Sequence, residues 1–301
     1  NRLLVVDGEQ KDRLHILHIV AESSLLSNVP VVFFDPKKFF SGIGEANRNN
    51  EEIKKYDVGS DPLGFPAKTL KAGDQVHIDL NSLNPEALAE ILGAGDKDFP
   101  RIMKMAQMKG GVDSLDSLAE KISAMGQTDE FSEFSVYKAA RMLKLANVVY
   151  PKLFAGENNI GQIVRKGSAN IATASVIDLS GIGQKASELL IHSIVKGILQ
   201  SLEQGASGKL NAMIIIPDAE LIRQADGTKK ISTEIYSLLS QCQKHGVLSA
   251  LSAEKSIDVE QVFRDEASVA INIVSTNDVG VQLKNRKAYR VLVRPALSKE
   301  A

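Results

Sequence analysis

Arg13-Leu14-His15-Ile16-Leu17 alternates like a strand, and His18-Ile19-Val20-Ala21-Glu22 reads as a helix already underway, with no turn between them. A second strand, Val29 to Phe34, follows at once and ends in Asp35-Pro36. The stretch therefore reads as a βαβ unit without its first loop, which in nucleotide-binding units is glycine-rich and cradles phosphate. A parallel strand pair needs a crossover of about a dozen residues or more, and Leu17 to Val29 barely supplies one while leaving the helix uncapped. Two readings stay open. Either a mobile loop and the first helical turns have dropped out between Leu17 and His18, which the crossover length favours, or the protein has lost them.

Working outward, Leu3-Leu4-Val5-Val6 is a strand, followed by a polar turn from Asp7 to Asp12. Val31-Val32-Phe33-Phe34 is apolar on both faces, as in a buried parallel sheet. Beyond a polar tract from Ser41 to Pro66, Ala67 to Leu70 and Gln75 to Leu80 read as a small hairpin around Gly73-Asp74. From Pro85 to about Phe154 the period becomes helical, which suggests an inserted helical subdomain over 85–154 between core segments 1–84 and 155–301. Its methionines, Met103, Met105, Met108, Met125 and Met142, are expected to fill core gaps. After Gly167 strands and helices alternate again: strands at Thr173–Leu179, Ala212–Ile216, Val247–Leu251, Val269–Val274 and Tyr289–Val293, with helices at Gly183–Gln204, Lys230–His245 and Val259–Glu266. That rhythm predicts an α/β fold with a doubly wound, mostly parallel sheet.

The 301 residues, 44% of them hydrophobic, suffice for a large core, and a formal net charge of −1 excludes a globally basic nucleic-acid binder. A single cysteine, Cys242, excludes an internal disulfide framework and a cysteine metal cluster. Neither a membrane-spanning run nor an apolar leader is evident, so a cytoplasmic setting is expected. His15, His18, His77 and His192 lack ligand spacing, and no serine, cysteine or histidine arrangement suggests a nucleophilic triad.

Ligands of such sheets sit outside the carboxyl ends of the strands. There Met213-Ile214-Ile215-Ile216-Pro217 delivers Asp218 and Glu220, the way nucleotide hydrolases hold magnesium and polarise water. Asp218 is the candidate metal ligand and Glu220 the candidate base. The plainer alternative is that Asp218 starts a turn and Glu220 favours a helix N-terminus. Asp35-Pro36 is an ordinary strand-to-turn pair or a ligand-side carboxylate, and Lys37 and Lys38 beside it are compatible with an anion. Lys244 precedes His245-Gly246, an ordinary helix end or a cation on a subunit edge.

The ordered set Val29-Pro30-Val31-Val32-Phe33-Phe34-Asp35-Pro36, the helical insertion, Ser175-Val176-Ile177-Asp178-Leu179-Ser180-Gly181, the strand ending in Asp218 and Glu220, and Lys244-His245-Gly246-Val247 resembles the HerA/FtsK/VirB4-type P-loop ATPases, HerA-like proteins in particular. The resemblance covers most of the chain after residue 13. It implies a RecA-like core, a homo-oligomeric and hexameric ring, ATP and Mg2+ as cofactors, hydrolysis at subunit interfaces, DNA as the translocated partner and a NurA-like nuclease as a further one. On that reading Leu17, His18, Asp35 and Lys37 border the nucleotide, Asp218 holds the metal, and Glu220, Lys244 and Glu254 serve catalysis. The departures are specific. No Walker A lysine and hydroxyl flank the join, Ala219 separates the two carboxylates that relatives have adjacent, and Glu254 stands where many relatives have glutamine. A catalytically degenerate assembly or regulatory protein of the same fold is the alternative to a DNA-translocating motor. A metabolic enzyme on a doubly wound sheet lacks its dinucleotide fingerprint.

Overall fold

The computed structural model describes residues 2–56, 61–81, 83–108, 110–156, 158–167, 170–203, 211–222, 230–275 and 278–300. The chain opens with β1 (Arg2–Val6), α1 (Gln10–Leu26), β2 (Val31–Asp35), α2 (Asn50–Lys55), β3 (Ala67–Lys71) and β4 (Ile78–Asp79). Then come α3 (Pro85–Ile91), α4 (Asp98–Met108), α5 (Leu115–Ser123), α6 (Glu133–Val149), β5 (Phe154–Ala155) and α7 (Ile160–Ile163). The last part holds β6 (Ala174–Asp178), α8 (Gln184–Glu203), β7 (Ala212–Ile216), α9 (Lys230–Lys244), β8 (Val247–Ala253), α10 (Gln261–Glu266), β9 (Val269–Ser275), β10 (Asp278–Leu283) and β11 (Ala288–Leu292). The expected end of the α8 helix at Gln204 lies outside the described residues.

Among the described residues, nine strands form one sheet in the order β11-β10-β9-β1-β8-β7-β2-β6-β3. The pairs β1 with β8 and β9, β7 with β8, and β2 with β6 and β7 are parallel. β10 runs antiparallel to β9 and β11. The central strands carry residues with no polar alternation, as Phe33, Phe34, Ile214 and Ile215 at full burial require of a sheet covered on both faces. β10 escapes the sequence reading because Gly280 at its middle and the polar Asp278 and Gln282 interrupt the apolar run.

The chain divides into two compact units. One comprises Asn1–Leu70, Ile160–Gly181 and Ile198–Ala301, and contains most of the large sheet; the other comprises Lys71–Asn159 and Ile182–Gly197. In the second unit helices start where short polar side chains satisfy first-turn N–H groups: Asn84 accepts from Glu86, Ser114 from Ser117 and Ser132 from Ser135. Of its methionines only Met103 is fully buried; Met105, Met125 and Met142 are half-buried and Met108 is 80% exposed, so the core-filling expectation holds for one of the five. The expected hairpin is not formed. β3 joins the edge of the large sheet beside β6, while β4 pairs in parallel with β5. No described helix is long and apolar enough to cross a membrane.

The largest correction concerns the opening stretch. Residues 10–26 are one uninterrupted helix, so Arg13 to Leu17 is not a strand and no loop separates Leu17 from His18. The strand of the βαβ unit is β1, and the loop is Asp7-Gly8-Glu9. Ile16, Leu17, Ala21 and Leu25 bury the face of α1 toward the sheet, spaced as a helix demands. The pattern was obscured because Arg13, His18 and Glu22 are buried as well, on a second, polar face. The helix ends at Leu26, and Asn28, two residues on, turns the chain away with a φ of 60° while its side chain accepts the Ala172 N–H at 2.8 Å. Leu17→Ala should therefore lower unfolding free energy by about 2–5 kcal/mol in urea denaturation, the cost of a core cavity. Lys11→Ala, on the exposed side of the same helix, should change it by less than about 0.5 kcal/mol. Equal small effects would place Leu17 outside the core.

Candidate nucleotide-site cleft

The carboxyl ends of β1, β7 and β8 adjoin one another, and the segments leaving them bound a cleft of about 470 Å³. Five carboxylate residues line it, Glu9, Asp218, Glu220, Glu254 and Asp258, against the cations Arg13 and Lys37. The sequence-derived candidates Lys37, Asp218, Glu220 and Glu254 thus come together. Asp258 and the Asp7 to Arg13 segment were missed; the available signal was a glycine two residues beyond an apolar strand, with a lysine three positions later.

The turn from β1 to α1 has three residues, with Asp7 at φ 63° and Gly8 at φ 66°. Its Asp7 N–H donates to the Glu254 carbonyl at 3.2 Å, tying the turn to the end of β8. Glycine is required at position 8 by its φ and by crowding: a methyl group there would sit 2.5 Å from Ile273 Cγ2. The carbonyls of the turn point inward and are taken up by the chain itself. Arg13, almost fully buried, donates from Nη1 to the Gly8 oxygen at 2.7 Å and to the Asp7 oxygen at 3.4 Å.

A phosphate-binding G-x-x-x-x-G-K-[ST] loop places backbone N–H groups around the phosphates, a lysine on them and a hydroxyl on magnesium. With Lys11 set on the lysine of that pattern, its glycines fall on Val5 and Gln10 and its hydroxyl on Asp12. Val5 is a fully buried strand residue paired with Ser252 and Ile271, so it cannot be part of a cradle. Lys11 is 71% exposed and paired with Glu9 at 3.0 Å, and the hydrogen bond and charge of Glu9 hold its ammonium above the ordinary lysine range. Asp12 is buried, with Oδ1 lacking a hydrogen-bond partner. These residues do not fit a bound triphosphate: the cradle is closed, and a carboxylate replaces the hydroxyl. Nor do the described residues contain three or more His, Cys, Asp or Glu groups arranged to hold a metal ion.

Asp218 has the geometry of a turn cap, its Oδ1 accepting the Glu220 N–H at 3.0 Å over a 3-10 turn at Ala219–Ile222. Asp35 is turned back on its own chain. It is buried and accepts N–H groups of Phe39 and Phe40 at 2.9 Å and of Lys37 at 3.2 Å, holding the turn after β2. Burial pushes its carboxyl upward, the three N–H donors oppose this and nearby Asp178 adds to it, for a net rise above the ordinary aspartate value. Leu17 and His18, expected at the phosphates, lie two turns into α1 at 0% and 2% exposure, because the loop they were to flank lies at Asp7–Glu9 instead. Lys244 ends α9 at the amino end of β8, the sheet edge away from the cleft.

In the central parallel sheet β8 and β7 lie between β1 and β2. The chain is similar to VirB4 of Thermoanaerobacter pseudethanolicus, with a TM-score of 0.62 over 98% of this chain and 88% of that one at 10% identity. It is also similar to the plasmid coupling protein TrwB in complexes with GDPNP and with ADPNP, each with a TM-score of 0.50 over 97% of this chain and 78% of that one at 11% identity. At such identities the likeness is one of fold. No protein-family model and no curated protein matches the chain. Gly8→Ala should destabilise by about 1–3 kcal/mol, through strain at positive φ and the contact with Ile273, and lower the melting temperature by several degrees. An unchanged melting temperature would mean that the turn relaxes without cost.

Proposed function

We propose that this chain is a hydrolysis-deficient subunit of an ATP-driven DNA-transport assembly, acting by packing and regulation rather than by turnover. Fold likeness to VirB4 and TrwB supports the assembly class. The observation that carries the deficiency is the three-residue turn whose carbonyls Arg13 occupies. Removing one preorganised electrostatic group from an active site costs about 10²–10³ in rate, and here cradle and hydroxyl are both replaced. The natural partners on this reading are further copies of the chain or an active relative in a ring, with DNA in the channel.

A second reading, an active motor using ATP and Mg2+, is favoured by one arrangement: Asp218 and Glu220 share a cleft with Lys37 and Arg13. Under it Asp218 would hold the metal, Glu220 or Glu254 would orient water, and Lys244 would reach a neighbouring subunit. ATP hydrolysis measured with excess Mg2+, with and without duplex DNA, separates the two. Turnover no greater than that of the Asp218→Asn/Glu220→Gln double variant is expected in both conditions. Duplex-stimulated turnover abolished by that double substitution would establish the motor instead.

A further inference from the structure

The segment from Arg294 to Glu300 crosses the polar face of α1 as a strap. Ala296, Leu297 and Ser298 in it are buried. Its backbone is held from the other side as well: Asn47 and Leu63 donate N–H groups to the Leu297 oxygen at 2.9 and 3.0 Å, and Lys299 donates to the Glu45 oxygen at 2.7 Å. On α1, fully buried Glu22 accepts the Ser298 N–H and hydroxyl at 2.7 Å each and pairs with Arg294 at 2.7 Å.

Two histidines of α1 complete the contact, and their partners dictate their protons. The Nδ1 of His15 lies 2.7 Å from a Glu300 carboxylate oxygen and its Nε2 lies 3.1 Å from the Arg294 carbonyl. Both partners only accept, so both ring nitrogens carry hydrogen and His15 is an imidazolium. The Nε2 of His18 lies 2.6 Å from the Ser298 Oγ. The single hydroxyl hydrogen of Ser298 is committed to Glu22, so His18 donates from Nε2, which its neutral form can do. Charging the other nitrogen would add a buried cation near Arg294 and His15.

We propose that the strap is a two-sided pH latch, closed while His15 is charged and His18 neutral. It opens on the alkaline side when His15 loses its proton and on the acid side when His18 gains one. The electrostatics agree in sign. Burial pulls His15 down, but the hydrogen bond and charge of Glu300, the Arg294 carbonyl and the charge of Glu22 outweigh it, for a net rise above 6.5. Its contribution is complete below 6.5 and is lost as pH climbs through the raised value. Burial lowers His18 below 6.5, helped by His15 and Arg294 and opposed by Glu22 and Glu300, so its contribution is complete above 6.5 and is lost as pH falls through the lowered value. Burial pushes Glu300 up, yet His15 and His18 hold it below 4.5 on balance, so its contribution is complete above 4.5 and is lost as pH falls through the lowered value.

The latch has a route to the cleft within the same unit. His18 stacks on Phe40, with ring centroids 6.1 Å apart, and the Phe40 N–H is held by Asp35 in the turn that carries Lys37 to the cleft. Hydrogen exchange, expressed as protection relative to intrinsic rates, tests the proposal on the full chain from about pH 5 to about pH 9. Protection of the Asn47, Leu63, Ser298 and Lys299 amides should be bell-shaped, falling about tenfold per unit beyond either limb, while β7 amides keep theirs. His18→Gln, which retains a neutral donor, should remove the acid limb; His15→Gln should remove the alkaline limb and lower protection at neutrality. A flat profile in the unsubstituted chain, loss of strap and β7 protection together, or survival of both limbs in the variants would overturn it.

Discussion

The short path from Val6 to Gln10 constrains everything at the carboxyl edge of the sheet. β1 stays hydrogen-bonded to β8 and β9 through Val6, so the chain has only Asp7, Gly8 and Glu9 in which to reverse direction and begin a helix. Two residues at positive φ achieve this, and Ile273 closes the space beside Gly8. A phosphate nest needs N–H groups converging on an open cavity. In this turn the carbonyls converge instead, and a buried guanidinium answers them.

The same helix depends on both its faces. Ile16, Leu17, Ala21 and Leu25 supply the hydrophobic contact with the sheet, worth about 1.5–3 kcal/mol for each large side chain. His18 and Glu22 on the other face would be costly to bury alone, since an unpaired buried carboxylate is destabilising by several kcal/mol. Ser298 and Arg294 make that burial tolerable. Strap and helix are therefore interdependent: without the strap, α1 would present His18 and Glu22 to solvent, and without α1 the strap would have no acceptor.

That interdependence explains what could be read from the sequence. Ala212–Ile216 was located to the residue because a strand buried on both faces is an unbroken apolar run, here bounded by Asn211 and Pro217. Asp218 and Glu220 were legible as strand-end groups because a parallel sheet sends its carboxyl ends to one edge, whereas Lys37 was read from its place beside Asp35 and Glu254 only from the family resemblance. α1 was not legible, since residues 276 to 285 positions away bury its polar face, and polar residues on that face mimic strand alternation. Placing the phosphate loop between Leu17 and His18 followed from that one misread period, and the hydrogen bonds of Asp35 to its own turn were not legible because nothing in sequence distinguishes a carboxylate facing a ligand from one turned back on its own turn.

The charge arrangement of the cleft carries the argument one step further. The N-terminus of a helix of 17 residues carries a partial positive charge that favours an anion. In this chain Glu9 at the cap and Asp12 in the first turn already provide negative charge there. Asp218, Glu220, Glu254 and Asp258 add carboxylates around the same space, so an incoming triphosphate would meet repulsion at the place where the fold ordinarily offers attraction. Arg13 and Lys37 line the same space and offset only part of this, Arg13 because its guanidinium already donates to the Asp7 and Gly8 carbonyls. The helix dipole is thus satisfied from within the chain, and the turn, the arginine and the acidic lining are mutually consistent with a sheet edge that needs no nucleotide to be stable.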